Sequence, residues 1–305
     1  MSYIVDITSN ARTTANMQPL TSLSDSHALS NKEIQVLQRM YSQKSVVMQP
    51  HAHSDMLNEA LETLLQRHEY LRDVNGLVIY TKTQTHNTLF DKDWFGALIA
   101  RQGLTQWTGF ALSMNHCASG LSAVHLATRL HRKGDTRPII VLCGEKSIAP
   151  FNKMSVSALG EMATATLIHP NEGRWRIIAS EVKHLGAFYA SPESMTPNTK
   201  RAMMEAFYPS LRDFMRDFTR DQAVDAILPY NLNLPVLKRL ARDCGWDNRL
   251  YIENLTSLGH TFCSDAFINF ITGLEETDFK STLMFAAGMG ITFSALHLER
   301  SPLSM

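Results

Sequence analysis

The sequence predicts an α/β fold in which strands of a largely buried sheet alternate with helices. Two observations carry this. Short apolar runs recur at "YIVDI" (Tyr3 to Ile7), "GLVIYT" (Gly76 to Thr81), "GFALSM" (Gly109 to Met114) and "IIVLCG" (Ile139 to Gly144). Such runs read as strands covered on both faces. Between them lie segments whose apolar residues return every three or four positions, the period of a helix with one face inward. A third observation sets the scale: 305 residues at 44% hydrophobic content suffice for one large domain or for two equivalent halves sharing a core.

Each element has its own signal. "SNKEIQVLQRM" opens with Ser30 and Glu33 at capping-box spacing, which marks a helix start. "SDMLNEALETLLQRH" sets Leu57, Leu61, Leu64 and Leu65 on one helical face. "DWFGALIARQGL" is a helix between two strands, and another helix follows Cys117. "TATLI" and "RWRIIASEV" are further strands. Asn198 to Arg220 is a long amphipathic segment with phenylalanines and methionines at helical spacing, compatible with a lid, an insertion or a core-facing helix. Strand and helix then alternate again through "DAILPYNLNLPVLKRLARDCGW", "SLGHTFCSDAFINFITGL" and "STLMFAAGMGITFSALHLE".

The charges balance at a formal net of zero, so no global field points to nucleic acid or an anionic membrane. No apolar run approaches the roughly 18 to 20 residues that cross a bilayer. The opening "MSYIVDITSNARTT" lacks the basic-then-apolar pattern of a secretory signal. Cys117, Cys143, Cys244 and Cys263 are scattered without a CxxC pair. The expectation is a cytoplasmic protein with reduced thiols, holding no metal and no resident cofactor. His51 and His53, with Asp55 nearby, have two-ligand spacing but no evident third ligand.

Cys117, in "LSMNHCASGLSAVHLATRL", stands where an apolar strand stops and a helix begins. Free cysteine is often a small buried filler. At this corner it also meets the positive end of a helix dipole, where a thiolate is stabilised. The small residues Ala118, Ser119 and Gly120 leave room for a thioester, and the Cys117 amide is a candidate oxyanion donor. A thiol nucleophile needs a base, and His260, in a Gly-His-Thr turn before a later helix, is the candidate. Gly288 and Gly290 are candidates to expose bare backbone amides to a ligand. His116 and His125 flank the cysteine and read as packing residues.

In their order these segments resemble the thiolase-like condensing enzymes, specifically β-ketoacyl-ACP synthase III and its acyltransferase relatives. "NHCASGLSAVHLA" is similar to that family's nucleophile elbow, and "SALGEMATATLI" to its Gly-Asp-Gly-Ala turn and strand. "ILPYNLNLPVLKRLA" resembles the Pro-His-Gln-Ala-Asn segment and its helix, "LGHTFCSDAF" the Gly-Asn-Thr-Ser segment, and "AAGMGITFSA" the closing glycine turn. The resemblance implies a thiolase fold: two pseudo-symmetric βα halves, residues 1–183 and 184–305, in five α-β-α-β-α layers with the site between them. It also implies a dimer, homodimeric or paired with a paralogue, in which the Gln84 to Phe95 loop reaches the partner.

Several positions depart from the family pattern. Tyr230 stands where the family has its histidine, and His260 where it has its asparagine. Asn233 matches the last residue of the Pro-His-Gln-Ala-Asn segment, Glu161 replaces an aspartate, and Met289 interrupts the glycine run. A phenol is a hydrogen-bond donor but a poor base near neutrality, whereas imidazole suits the task. The altered set implies transfer of an acyl group from a CoA or acyl-carrier-protein thioester, through acyl-Cys117, to a small nucleophile in secondary-metabolite or specialised lipid biosynthesis. Decarboxylative β-ketoacyl synthesis and a catalytically degenerate partner subunit are the alternatives. Lys238, Arg239 and Arg242 on the helix after Asn233, together with Arg249, are placed to meet a carrier protein or CoA phosphates.

Overall fold

The structure is a computed structural model that describes residues 1–11, 13–83, 94–147, 152–188, 195–246, 248–288 and 291–302. Among these residues the strands are β1 (Tyr3–Ser9), β2 (Met17–Pro19), β3 (Ser45–Val47), β4 (Gly76–Thr81), β5 (Trp107–Leu112), β6 (Ile139–Gly144) and β7 (Lys153–Met154). They continue with β8 (Ser157–Ala158), β9 (Ala163–His169), β10 (Trp175–His184), β11 (Ala226–Leu228), β12 (Ser281–Gly288) and β13 (Thr292–Arg300). The helices are α1 (Asn31–Tyr41), α2 (His53–Arg67), α3 (Trp94–Arg101), α4 (Ser119–Arg132), α5 (Pro197–Thr219), α6 (Leu234–Cys244), α7 (Glu253–Ser257) and α8 (Asp265–Glu276).

Nine strands form one sheet in the order β11-β12-β13-β10-β1-β9-β6-β4-β5. The order contains a repeat. β1 pairs antiparallel with β9, β9 antiparallel with β6, and β6 parallel with β4. β10 pairs antiparallel with β13, β13 antiparallel with β12, and β12 parallel with β11. The first half adds β5, parallel to β4 at the sheet edge. The halves meet where β1 pairs with β10. β10 begins at Trp175, follows β13 along its length and ends at His184, one residue after Lys183.

Helices divide the molecule into layers. α2 covers β1, β6 and β9 from one side, and α3 covers β5. On the other side α4 touches β4 and β6 of the first half and β10, β12 and β13 of the second. α8 likewise touches β1, β11 and β12, so α4 and α8 form the shared middle layer. α5, with α6 beside it, covers β13 from outside. The result is the five-layer α-β-α-β-α arrangement of the thiolase fold.

Local chemistry explains the outer layers. Both bonds of the Ser30–Glu33 capping box form at the start of α1. Leu57, Leu61, Leu64 and Leu65 of α2 are fully buried, each contributing on the order of 1.5–3 kcal/mol. The long amphipathic segment is α5, and Leu211, Phe214, Met215 and Phe218 on its C-terminal half face the core. The "GFALSM" strand differs from a strand covered on both faces: Thr108 to Ala111 of β5 are exposed at the sheet edge. No helix among the described residues is long and apolar enough to cross a membrane.

Candidate active site

The two middle helices begin alike. A single-turn 3-10 helix, His116–Ala118, leads into α4, and another, Phe262–Ser264, leads into α8. Each opens on a residue in the left-handed region, His116 at φ 49° and Phe262 at φ 59°. Non-glycine residues adopt that conformation at a cost, and it recurs at sites where the chain must aim a group. The repeat thus sets two sharp corners against one another at the junction of the halves, and Cys117 occupies the first.

The Cys117 Sγ lies 3.1 Å from His260 Nε2. The other ring nitrogen, Nδ1, lies 2.5 Å from Asp265 Oδ2, at the start of α8. A carboxylate accepts only, so Nδ1 carries the donated proton and Nε2 is left to receive one from the thiol. Asp265 is itself fully engaged. Its Oδ1 accepts from the Thr261 amide at 2.6 Å and the Thr261 hydroxyl at 2.7 Å, and its Oδ2 accepts from the Asn231 amide at 2.6 Å. Thiol, imidazole and carboxylate thus stand in one hydrogen-bonded line, an arrangement that can activate a thiol.

Sequence reading named Cys117 and His260 but missed Asp265. Its signal is the His-x4-Asp spacing across a turn, which an acidic residue in a helix's first turn also produces for the dipole alone.

Burial by itself would lower the imidazole, yet the charge of Asp265, the Cys117 sulfur and the hydrogen bonds to both raise the His260 pKa well above its usual value. The backbone of His260 is held by the "SALGEM" segment: its carbonyl accepts from Gly160 N at 2.9 Å, and its amide donates to Ala158 O at 3.4 Å. Gly259 precedes it at φ 75°, and a Cβ there would stand 2.7 Å from Ala158 O, so only glycine fits.

Tyr230 is buried, edge-on to Phe285 at a 5.8 Å centroid separation. Burial and the nearby charges of Cys117 and Asp265 push its phenol above the usual range, which keeps it a protonated donor beside the thiol. Gly288 closes β12 directly behind the elbow, where a Cβ would fall 2.1 Å from Asn115 O. Gly290 and Met289 lie outside the described residues, as do positions 84–93 of the Gln84 to Phe95 loop.

The remaining sequence candidates lie on α6 or around it. Asn233 takes a left-handed conformation at φ 60° as the N-cap of α6, without a side-chain cap bond. Lys238 and Arg242 of α6 are exposed. Arg239 stacks on the Tyr208 ring at 4.1 Å, and Arg249 donates to Val224 O at 3.0 Å and Gly245 O at 2.6 Å, so both have structural duties.

Glu161 accepts from Lys146 at 2.5 Å, from the Gln49 amide at 2.9 Å and from Ser147, a buried structural knot. His53 Nε2 meets Gly144 O at 2.9 Å and the Tyr80 hydroxyl at 3.0 Å, and His125 Nδ1 meets Ser180. No cluster of three metal-ligating side chains occurs among the described residues.

The other thiols sit in quieter surroundings. Burial pushes Cys143 up to about 12 and Cys244 up to about 11, and raises Cys263 well above the usual thiol range.

No protein-family model matches the sequence, and no curated protein matches it. Solved structures do match its fold. ChlB3, an acyltransferase, superposes with a TM-score of 0.80 at 14% identity, covering 98% of this chain and 97% of its own. The 3-oxoacyl-[acyl-carrier-protein] synthase III of Aquifex aeolicus superposes with a TM-score of 0.78 at 14% identity, over 98% of this chain and all of its own. The tetronic acid condensing enzyme AbyA1 superposes at 0.76 with 13% identity, over the same share of each. End to end, the chain has the fold of the synthase III-like, thiolase-type condensing proteins.

Proposed function

We propose that this protein is an acyltransferase working through an acyl-Cys117 intermediate. The observation that carries the reading is the 3.1 Å contact between Cys117 Sγ and His260 Nε2, backed by Asp265. His260 Nε2 takes the thiol proton as sulfur attacks the thioester carbonyl of an acyl-CoA or acyl-carrier donor. The tetrahedral intermediate collapses, and the departing thiol leaves with that proton. An acceptor hydroxyl or amine then gives its proton to His260, attacks acyl-Cys117 and takes the acyl group, and the cysteine is reprotonated. Tyr230 and the backbone amides of Cys117 and Gly288 are the assigned donors toward the developing oxyanion. Thiol, imidazole and carboxylate together need no resident cofactor.

The orienting carboxylate favours acyl transfer over decarboxylative condensation, because it makes His260 a base rather than one of two neutral donors. The presence of ChlB3 among the superposing structures supports the same choice. An intact nucleophile-base contact also speaks against a degenerate subunit. The protein works as a dimer in a reducing, cytoplasmic setting; the exposed β5 edge, with Phe110 43% exposed, is the surface offered to a second copy. Lys238 and Arg242 meet the donor's phosphates or its carrier.

The test is intact-protein mass after incubation with acyl-CoA and acyl-carrier thioesters. An adduct should form that disappears in Cys117→Ser and survives replacement of Cys143, Cys244 and Cys263. A wild-type protein that stays unacylated with every donor, or an adduct that persists in Cys117→Ser, removes this reading.

A further inference from the structure

The side chain of Asn269 is fully buried on α8, four residues beyond Asp265, within the otherwise apolar stretch "AFINFI". A buried amide without partners is costly, so its bonds say what it is for. Its Nδ2 donates to Pro229 O at 2.7 Å and to Asn231 Oδ1 at 2.9 Å. Those two residues flank Tyr230, so one amide group grips the chain on both sides of the phenol. Its Oδ1 accepts from Asn254 Nδ2 at 2.9 Å, and Asn254 also donates to Thr272 Oγ1 at 2.7 Å. Pro229 O, a carbonyl that can only accept, fixes which end of the Asn269 amide faces the gripped segment.

The grip matters because of what the segment does next. The Asn231 amide donates to Asp265 Oδ2 at 2.6 Å, the same oxygen that faces His260 Nδ1. The two Thr261 donors to Asp265 come from the imidazole's own turn. The Asn231 donor comes from a segment 34 residues away and is only as well aimed as that segment is held. We infer that Asn269 is a positioning residue for the reactive centre: it clamps Pro229 and Asn231, and so aims the Asn231 amide at the orienting carboxylate and holds Tyr230 beside Cys117. This rests on the acyl-transfer reading of the same centre.

The experiment needs no knowledge of the acyl group. The rate of Cys117 alkylation by iodoacetamide is followed by peptide mass against pH in wild type, Asn269→Leu and Asn231→Ala. Asn269→Leu keeps the number of side-chain heavy atoms and removes both donors. Asn231→Ala removes one acceptor of the clamp, together with an Nδ2 that has no partner among the described residues. The pH midpoint of alkylation should rise in Asn269→Leu and rise less in Asn231→Ala, because a loosened carboxylate no longer holds the imidazolium against the sulfur. An unchanged or lower midpoint in folded Asn269→Leu overturns the inference, and Asn231→Ala decides in the same way if the first variant does not fold. A wild-type Cys117 that reacts like an isolated buried thiol overturns the acyl-transfer reading and the inference with it, whereas the variant outcome alone leaves that reading standing.

Discussion

Asp265 is the residue that sets the electrostatics around His260 and Cys117. Burial disfavours a charged imidazole, yet His260 is raised well above 6.5 because Asp265 and Cys117 face its two nitrogens. A raised folded pKa contributes stability in full below the unfolded value and loses it as pH climbs through the folded one. In Asp265→Asn the main raising charge is gone, and only Cys117 is left to oppose the burial that lowers the imidazole. The stability gap between wild type and variant should therefore be widest in mild acid and close as pH rises above neutrality. Urea denaturation of both proteins from pH 5.5 to 10 checks this, and a gap independent of pH would contradict it. Adduct formation in the variant should slow by about 10²–10⁴-fold, the scale of a lost general base.

Cys117 and His260 were legible at this scale because each breaks a local pattern, a thiol at a helix entrance and an imidazole in a glycine turn. Asp265 was hidden because a helix's first turn favours an acid anyway. Tyr230 stood out only by resemblance, and Asn269 left one quiet sign, an amide inside an apolar helical stretch.

At the scale of elements, the contact that shapes the elbow lies between a strand end and a turn. A Cβ on Gly288 would fall 2.1 Å from the Asn115 carbonyl, a backbone atom that cannot swing aside. Gly288→Ala should cost about 1–3 kcal/mol through forced displacement. It should also slow Cys117 acylation, because the elbow would have to shift relative to His260. A thermal melt read beside the adduct rate checks both, and a variant acylating at the wild-type rate would show that the elbow tolerates the shift. Most elements announced themselves by periodicity: the leucines of α2 and the capping box of α1 fold as their spacing dictates. β5 did not, since an apolar run reads the same whether its cover is this chain's core or another surface.

At the scale of the whole molecule, exposure of β5 sets the expected assembly. Phe110→Asp places a charge on the open edge and should convert a dimer to a monomer in light scattering; a wild-type monomer at micromolar concentration would remove the dimer. On α6, Lys238→Glu and Arg242→Glu should raise the apparent KM for a carrier-bound donor while leaving kcat near wild type, and unchanged KM in both would mean that donors enter elsewhere. The sheet itself has a consequence for how the protein is made. Sulfur and imidazole stand 143 residues apart in the chain, and β13, late in sequence, lies inside the sheet between β12 and β10. A chain emerging from the ribosome thus carries the Cys117 sulfur long before the His260 imidazole is made, and their contact forms only with the part of the sheet that is synthesised last.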